Sequence, residues 1–418
     1  MQVTVSHGGT AEAPAGAIRA YVAAMVSTAF ETGQLGPLTL RNRVIKAATF
    51  EGRSPKGQVT DDLVDYHVRV AAGGAAMTTV AYLAVSPEGR TARGCIVLGD
   101  DTLEGLSRLT EAIHAEGAKA SAQLGHAGPV ANPKSNRLAA LAPSRHIGMT
   151  GNVAKEVSEA DIARITAGYE RGAAVAVRAG FDAIEVHLGH NYLLSAFLSP
   201  KLNKRKDRWG GSIENRARFA RQVVAGVRAG AGTGVAVTAK LNMSDGVPGG
   251  LWLDESIPVA QMLEDDGHLD ALELTGGSSL ANPMYLFRGE APLEEFGATL
   301  PAALRAGFKL VGSRFMPSYP FEEAFFLPYA RQFREALTMP LILLGGINRL
   351  DTIERAVDMG FAFVAMARAL LREPNLVNKM QQRSSTESLC IHCNKCMPTI
   401  YSGTRCVLVT PTRRPGVT

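Results

Sequence analysis

The sequence lacks the features that mark membrane proteins and nucleic-acid-binding proteins. None of its apolar runs approaches the roughly 20 residues that a transmembrane helix needs. The Ala-rich stretch from Ala20 to Ala29 is short, and its only nearby basic residue is Arg19, which does not fit a signal peptide. Lysine and arginine number 44 against 39 acidic residues, and they are scattered and form no basic patch. The sequence therefore predicts a protein that binds neither membrane nor nucleic acid.

Cysteine is also scarce, with 5 residues in a chain of 418. Four of them lie close together near the end, namely Cys390, Cys393, Cys396 and Cys406. This clustering favours metal chemistry in a reducing compartment over a disulfide scaffold, and we therefore expect a cytoplasmic protein. Cys95 stands apart and is interpreted as a small core residue.

The composition is that of an ordinary globular protein, with 46% hydrophobic and 20% charged residues. The length fits one large α/β barrel with appendages, or two domains. Residues 1–29 are rich in Ala and Gly and have no clear periodicity. We expect them to be a disordered extension or the product of a start codon placed too early.

Apolar runs short enough for buried strands alternate with helical patterns along the chain. The eight strand candidates are 44–48, 76–80, 118–124, 183–186, 235–241, 271–274, 341–344 and 361–366. The helical patterns are 101–116, 158–179, 213–228, 254–266, 321–337 and 350–359. This α/β alternation predicts one parallel sheet closed into a (β/α)8 TIM barrel over residues 30–383, with its site at the carboxyl ends of the strands. A cysteine-rich extension, 384–418, follows it.

Two stretches interrupt the alternation. Residues 127–157 contain several Pro and Gly and predict a loop with a short hairpin. Residues 276–320 follow the sixth strand on the face that carries the site, and a loop of this length is usually functional or disordered. We interpret it as a cover over the substrate, with a helical decoration of the barrel as the alternative.

The strand at 183–186 ends in an unusual set of side chains. His187, His190 and Tyr192 lie within six residues of one another. Imidazole can donate a hydrogen bond to a carbonyl oxygen, and a phenol can deliver a proton. The alternative is that both histidines are satisfied interior residues and the tyrosine is core. The three together favour chemistry over packing.

This stretch continues into motifs that resemble the old yellow enzyme family of FMN-dependent oxidoreductases. The motifs are H-x-x-H-x-Y, F-L-S-P, N-x-R-x-D-x-W-G-G-S and E-N-R-x-R-F, between residues 187 and 219. Resemblance of lower density extends over 30–406. It implies that His187 and His190 bind the activating oxygen of the substrate and that Tyr192 donates a proton.

The resemblance also assigns the other strand ends to FMN. It implies that Ala47, Ala48 and Thr49 lie beside the flavin ring. A glutamine amide both donates and accepts hydrogen bonds, and the resemblance places Gln123 on the flavin's pyrimidine edge, with a capping role as the alternative. Lys240 replaces the family's usual arginine, which can contact two atoms where lysine is a point charge.

The last two strands predict a phosphate site. Glycines let backbone amides approach a phosphate, and an arginine adds charge. The loops after strands seven and eight are the usual phosphate site of this barrel. The residues concerned are Gly345, Gly346, Ala367 and Arg368.

The four clustered cysteines follow the pattern C-x2-C-x2-C-x9-C. This spacing suits a tetrahedral Zn site or an iron–sulfur cluster, and metal-free cysteines are a third alternative. The region resembles the branch of 2,4-dienoyl-CoA reductase and trimethylamine dehydrogenase, which carries a 4Fe-4S cluster just after the barrel. That branch continues into nucleotide-binding domains, whereas the present sequence stops at Thr418.

Together these observations predict an NAD(P)H:flavin oxidoreductase. We expect an ene-reductase that uses FMN, with NADH or NADPH as reductant, to reduce an activated C=C bond of an α,β-unsaturated carbonyl or dienoyl type. The expected partner is a small unsaturated molecule, and the sequence is compatible with a homo-oligomer. The alternatives are a flavin amine dehydrogenase or demethylase, and a non-enzymatic electron-transfer or redox-sensing protein.

Overall fold

A computed structural model describes residues 27–148, 152–300 and 302–409. Eight parallel strands form a closed barrel in which each strand pairs with its neighbours in the chain, and the last pairs with the first. The strands are β1 (Val44–Lys46), β2 (Met77–Ala84), β3 (Lys119–Gly125), β4 (Ala183–Leu188), β5 (Ala236–Ser244), β6 (Ala271–Gly276), β7 (Leu341–Leu344) and β8 (Phe363–Met366).

A helix follows each strand and packs on the outside of the barrel. The helices are α1 (Asp61–Ala72), α2 (Asp100–Ala115), α3 (Glu159–Arg178), α4 (Ile213–Ala231), α5 (Leu253–Asp265), α6 (Leu327–Ala336), α7 (Leu350–Asp358) and α8 (Arg368–Arg372). The start of α3 shows why the boundaries fall where they do. The Ser158 hydroxyl accepts the Asp161 amide, and the Asp161 carboxylate accepts the Ser158 amide, which satisfies two otherwise unpaired donors.

The predicted TIM barrel is confirmed. All eight strands are present. Their consecutive residues are buried on both faces of the sheet, as a parallel sheet covered by helices requires. One helix was predicted too long. The pattern at 321–337 places its start at Phe321, but α6 begins at Leu327, because Phe325 and Phe326 turn inward and pack against the glycines that follow β7.

The two irregular stretches contain more structure than the sequence indicates. Between β3 and α3 lie the short helix Pro133–Asn136 and a three-stranded sheet of Ala140–Ala142, His146–Ile147 and Val153–Glu156, which includes the predicted hairpin. The insertion 276–320 holds three helices, Met284–Phe287, Leu293–Thr299 and Ala302–Phe315. Leu310 in the last of these helices is 82% exposed. The role of the insertion as a substrate cover stays a prediction.

Further elements lie before the first barrel strand and after the last barrel helix. The antiparallel pair Gly33–Leu35 and Leu38–Leu40 precedes β1, and the helix Leu376–Gln381 and the 3-10 helix Met397–Tyr401 follow α8. Residues 1–26 lie outside the described residues, but Thr28–Phe30 forms a 3-10 helix with Ala29 buried. The division into 1–29, 30–383 and 384–418 stays a prediction. Within the described ranges, no helix is long and apolar enough to cross a membrane.

Candidate active site

Three ring side chains meet at the carboxyl end of β4. His187 is in the strand, and His190 and Tyr192 lie in the turn that leads into the helix Leu193–Leu198. The ring centroid of His187 lies 5.1 Å from that of His190 and 4.7 Å from that of Tyr192. The structure thus brings together the three residues that the sequence singles out for chemistry.

Both histidines are neutral at neutral pH. Burial lowers the pKa of His187 well below its ordinary value, and His190 and Lys240 lower it further. Burial, with a contribution from Lys240, lowers the pKa of His190 to about 3. The buried Nδ1 of His187 has no hydrogen-bond partner within the described residues. A neutral imidazole carries one donor and one acceptor nitrogen, so this pair can bind a polar ligand atom without carrying charge.

Contacts from β5 and β6 fix His190 in place. Its amide donates to Asn242 Oδ1 at 3.0 Å, and its Nε2 lies 3.0 Å from Thr275 Oγ1. The residue has a positive φ of 60°, which is uncommon for residues other than glycine. Asn242 is itself held, because its Nδ2 donates to Asp245 and to the Gly277 carbonyl. The ring is therefore set by contacts from two neighbouring strands.

A buried row of polar side chains crosses four adjacent strands. Gln123 Nε2 donates to Glu185 Oε1 at 2.6 Å. Lys240 Nζ lies 3.1 Å from the same oxygen and 2.9 Å from Glu273 Oε1. Burial alone lowers the pKa of Lys240, but Glu185 and Glu273 outweigh it and raise the pKa. Lys240 therefore remains charged, in register with His187 on the neighbouring strand.

The residues after β1 also lie at the carboxyl face. The strand ends at Lys46, two residues earlier than predicted. The Ala47 amide donates to the Met366 carbonyl of β8 at 2.9 Å, Ala48 is half-buried, and Thr49 Oγ1 donates to the Ala47 carbonyl. Ala47, Ala48 and Thr49 thus cover the junction between β8 and β1.

The predicted phosphate residues lie at the ends of β7 and β8. Gly345 and Gly346 have φ values of 108° and 74°. A Cβ would run into the rings of Phe326 and Phe325 at Gly345, and into the ring of Phe325 at Gly346. Ala367 precedes α8, and Arg368 Nη1 donates to the Arg288 carbonyl at 2.9 Å and to Asn394 Oδ1.

The cysteine-bearing segment packs against these same loops. Ser388 donates its amide to the Asn348 carbonyl, and Asn348 Nδ2 lies 3.0 Å from His392 Nε2. The His392 ring stacks on Phe321 with centroids 3.3 Å apart. The four cysteines line one cavity together with Arg368; they are Cys390, Cys393, Cys396 and Cys406. Cys95 is buried elsewhere, with Sγ 2.9 Å from Thr91 Oγ1.

Several side chains of the carboxyl face can be matched to the groups that the sequence predicts. The buried ammonium of Lys240, the buried amide of Gln123 and the arginine at the end of β8 fit a flavin mononucleotide. A single metal ion fits less well, since no group of three or more His, Cys, Asp or Glu residues in the described part of the chain could hold one. To bind one Zn ion, the thiolates would have to lie about 4 Å apart, because each Zn–S bond is about 2.3 Å.

Sequence reasoning missed several polar residues of the site. Glu185 and Glu273 each lie between two apolar residues of a buried strand, and such a residue signals a buried partner. A second buried cluster joins Lys46, Glu51 and His67, with Lys46 Nζ 3.5 Å and His67 Nε2 3.2 Å from Glu51 Oε1. The partners of Glu185 and Glu273 come from distant parts of the chain, so no local pattern identifies those partners.

Comparison with known proteins identifies the family. Residues 29–272 match the sequence pattern of the NADH:flavin oxidoreductase / NADH oxidase family. The chain belongs to this family. It is 64% identical over 380 residues to the 4,4'-dithiodibutanoate disulfide reductase of Rhodococcus erythropolis, a match that covers 91% of the chain and 94% of that protein.

More distant matches differ in length. A metal reductase of Desulforamulus reducens is 32% identical over 409 residues, covering 94% of the chain and 56% of that protein. A structure of 2-naphthoyl-CoA reductase has a TM-score of 0.78 at 23% identity, covering 91% of the chain and 56% of that protein. The old yellow enzyme homologue from Zymomonas mobilis has a TM-score of 0.69 at 21% identity, covering 88% and 96%. The chain thus spans just over half of the first two, and the structural matches establish the fold alone.

The predicted family and enzyme class are confirmed. The chain is an oxidoreductase, and family membership supports the use of flavin and of NADH or NADPH. The non-enzymatic alternative is therefore wrong. A cytoplasmic location and a homo-oligomeric state stay predictions.

Proposed function

We propose that this enzyme uses FMN and NADH or NADPH to reduce the disulfide bond of a small organic acid. The observation that carries the proposal is the meeting of His187, His190 and Tyr192 beside the charged Lys240, in a chain 64% identical to a named disulfide reductase. This refines the sequence-based expectation of a reductase and replaces the C=C bond with an S–S bond as the preferred acceptor.

The proposal assigns the cofactor to residues of the carboxyl face. Gln123 and Lys240 would hold the flavin ring and balance its charge, and the loop after β1 would lie beside it. The phosphate would be held by four residues, namely Gly345, Gly346, Ala367 and Arg368. When bound, FMN supplies two-electron chemistry between the nicotinamide and the acceptor.

The proposed reaction is balanced by one proton from solution. NAD(P)H gives up a hydride, which brings two electrons and one proton. The S–S bond breaks, both sulfurs are reduced, and the second proton makes the products two thiols. Tyr192 would deliver that proton, since a phenol at this position can act as a general acid. His187 and His190 are both neutral, so they would hold the acceptor through hydrogen bonds and not through charge.

The chain's own thiols are not required for this reaction. Burial raises the pKa of Cys95, which disfavours the nucleophilic thiolate. The other four cysteines line a separate cavity together with Arg368. We therefore assign the electron transfer to the flavin and not to a protein dithiol.

A specific observation keeps reduction of an activated C=C bond as the second candidate. Paired donors such as His187 and His190 are suited to a carbonyl oxygen, and Tyr192 to protonating the neighbouring carbon. A disulfide offers no such oxygen near its reacting atoms. The same donors are poorly suited to a cationic amine, which argues against amine dehydrogenation.

We further propose that the cysteine cavity holds a 4Fe-4S cluster. The four thiols around one cavity match in number the four thiolate ligands of such a cluster. Burial raises the pKa of Cys396 to about 11, partly opposed by Arg368, so this thiol stays protonated unless a metal takes its thiolate. Iron and acid-labile sulfide in the purified protein would support the cluster, and zinc alone would contradict it.

Acceptor-dependent oxidation of NADH and NADPH tests the proposed function. We expect 4,4'-dithiodibutanoate to stimulate oxidation and to yield two thiols per reduced nicotinamide consumed. Cyclohexenone serves as the C=C acceptor in the same assay. Faster turnover of cyclohexenone, without thiol release from the disulfide, would favour the second candidate.

A further inference from the structure

Arg288 lies at the carboxyl face, in the first half of the insertion after β6. It ends the helix Met284–Phe287 and has a positive φ of 38°. Its carbonyl accepts hydrogen bonds from Arg368 Nη1 at 2.9 Å and from Asn394 Nδ2 at 3.0 Å. Two side chains thus fix this backbone position next to the loop of β8.

The guanidinium of Arg288 is enclosed by aromatic rings. Its Cζ lies 5.4 Å from the ring centre of Tyr285, 5.5 Å from that of Tyr319 and 5.2 Å from that of Phe325. Its Nε is buried without a hydrogen-bond partner. Among the described residues, the side chain makes neither a hydrogen bond nor an ion pair.

Other enclosed arginines of this chain are paired. Arg216 contacts Glu255, and Arg205 Nη2 lies 2.6 Å from Asp207 Oδ2. Arg43 also lies over a ring and has a buried Nε without a partner, but its Nη1 donates to the Ala362 carbonyl. Removing a cation from water is unfavourable unless an anion or acceptors replace the solvent. Arg288 is half-buried, the rings compensate in part, and its in-plane donors have no partner in the described part of the chain.

We propose that Arg288 forms an oxyanion-binding site at the carboxyl face. The planar guanidinium matches a carboxylate or a phosphate. Two sources can supply this group: a carboxylate of an acidic substrate, which rests on the proposed function, or the phosphate of FMN. The name of the 64%-identical relative's substrate denotes an acid with a carboxylate at each end.

Contacts connect this site to the histidine pair. The Ser279 amide donates to the His190 carbonyl, and Asn282 Nδ2 donates to Tyr319 Oη at 2.7 Å. The segment between His190 and Arg288 is therefore packed against the catalytic face. The rings of Tyr285, Tyr319 and Phe325 would offer an apolar wall to the methylene chain of such an acid.

The test measures binding without turnover. Decanedioate has the length of 4,4'-dithiodibutanoate, with two methylenes in place of the two sulfurs, and cannot be reduced. Its binding to the flavin-loaded enzyme is followed by the change in flavin absorbance, with 1,10-decanediol as the uncharged probe. We expect Arg288→Met to weaken decanedioate binding about 10- to 100-fold and to leave decanediol unchanged. Arg288→Lys should fall between the two.

Arg43→Met is the matched control. Arg43 also lies over a ring, Phe363, at the amino end of β8, so its loss should not change decanedioate binding. The second arm compares FMN with riboflavin, which lacks the phosphate, on flavin-free protein. A loss of FMN affinity in Arg288→Met and Arg288→Lys, with riboflavin unchanged, would assign the oxyanion to the cofactor.

Unchanged affinity for both decanedioate and FMN in the two Arg288 variants would overturn the site. Equal weakening of decanedioate and decanediol would also overturn it, because that result reports lost packing and not lost charge. Neither arm needs turnover. The two proposals can fail separately. If the native enzyme does not reduce the disulfide but Arg288→Met still loses decanedioate affinity, the proposed acceptor is wrong and the oxyanion site is retained.

Discussion

Lys240→Met removes the cation that lies between two buried carboxylates. In the native structure Lys240 is 2% exposed, with Nζ 3.1 Å from Glu185 and 2.9 Å from Glu273. Methionine fills a similar volume but leaves both carboxylates facing each other, with Gln123 the remaining donor to Glu185. One carboxylate must then take up a proton or remain charged without a partner.

The size of the effect follows from the burial. Breaking a buried ion pair by removing one partner costs about 3–5 kcal/mol. Unfolding entropy of about 2.1 cal/mol/K per residue amounts to nearly 0.9 kcal/mol/K for a chain of this length, so the midpoint of thermal unfolding should fall by about 3–6 °C. Flavin affinity should fall as well, because Lys240 is the charge proposed to balance the flavin.

The loss of stability should depend on pH. Burial raises the pKa of Glu273, although Lys240 opposes this rise. A raised pKa contributes stability that is present below the ordinary value and is lost as the pH rises through the folded value. Without Lys240 the pKa rises further, so the deficit relative to the native protein should be larger at about pH 8 than at about pH 5.5.

Thermal unfolding of Lys240→Met, Lys240→Arg and the native protein at both pH values checks this reasoning. Lys240→Arg retains the charge and should lose little stability. Adding Glu273→Gln to Lys240→Met should recover part of the loss, because the two sites are in contact. An unchanged midpoint in Lys240→Met, or a deficit of equal size at both pH values, would refute the argument.

Three further predictions concern proton donation, charge and cofactor binding. Tyr192→Phe should slow the reaction with the acceptor about 10²- to 10⁴-fold and leave reduction of the flavin by NAD(P)H intact; an equal loss in both half-reactions would contradict its role as proton donor. Burial lowers the pKa of His187 and brings that of His190 to about 3, so neither ring should titrate between about pH 5 and 8. NMR of the imidazole protons measures this titration. A titration step in that range that disappears in the His187→Asn and His190→Asn variants would be inconsistent with neutral rings. Asn394→Ala releases Arg368 from a side-chain contact and should weaken FMN binding about tenfold without affecting riboflavin, whereas equal changes for both flavins would indicate a general loss of packing.

The barrel was predictable because its signals are local. Eight short apolar runs separated by helical patterns require a parallel sheet with covered faces, and capping residues such as Ser158 mark helix starts. The start of α6 was misplaced because Phe325 and Phe326 continue the apolar pattern but pack inward on Gly345 and Gly346. Periodicity reports which residues are buried, and it does not report which element buries them.

Much of the candidate site was predictable for a different reason. His187, His190 and Tyr192 are close in the sequence, so one turn brings them together. Arg288 was not predictable, because its surroundings come from Tyr285, Tyr319 and Phe325, and two of these rings are more than 30 residues away. The cysteine spacing allows Zn or a cluster, and the structure adds that the four thiols line one cavity.

The reaction of the reduced enzyme with a disulfide tests the central claim most directly. The purified protein is reduced anaerobically with one equivalent of NADPH or NADH, and 4,4'-dithiodibutanoate is then added in a stopped-flow spectrometer. We predict that the flavin absorbance, lost on reduction, returns on adding the disulfide, with two thiols released per flavin. A flavin that stays reduced in the presence of the disulfide, or a protein that does not bind FMN, would contradict the account.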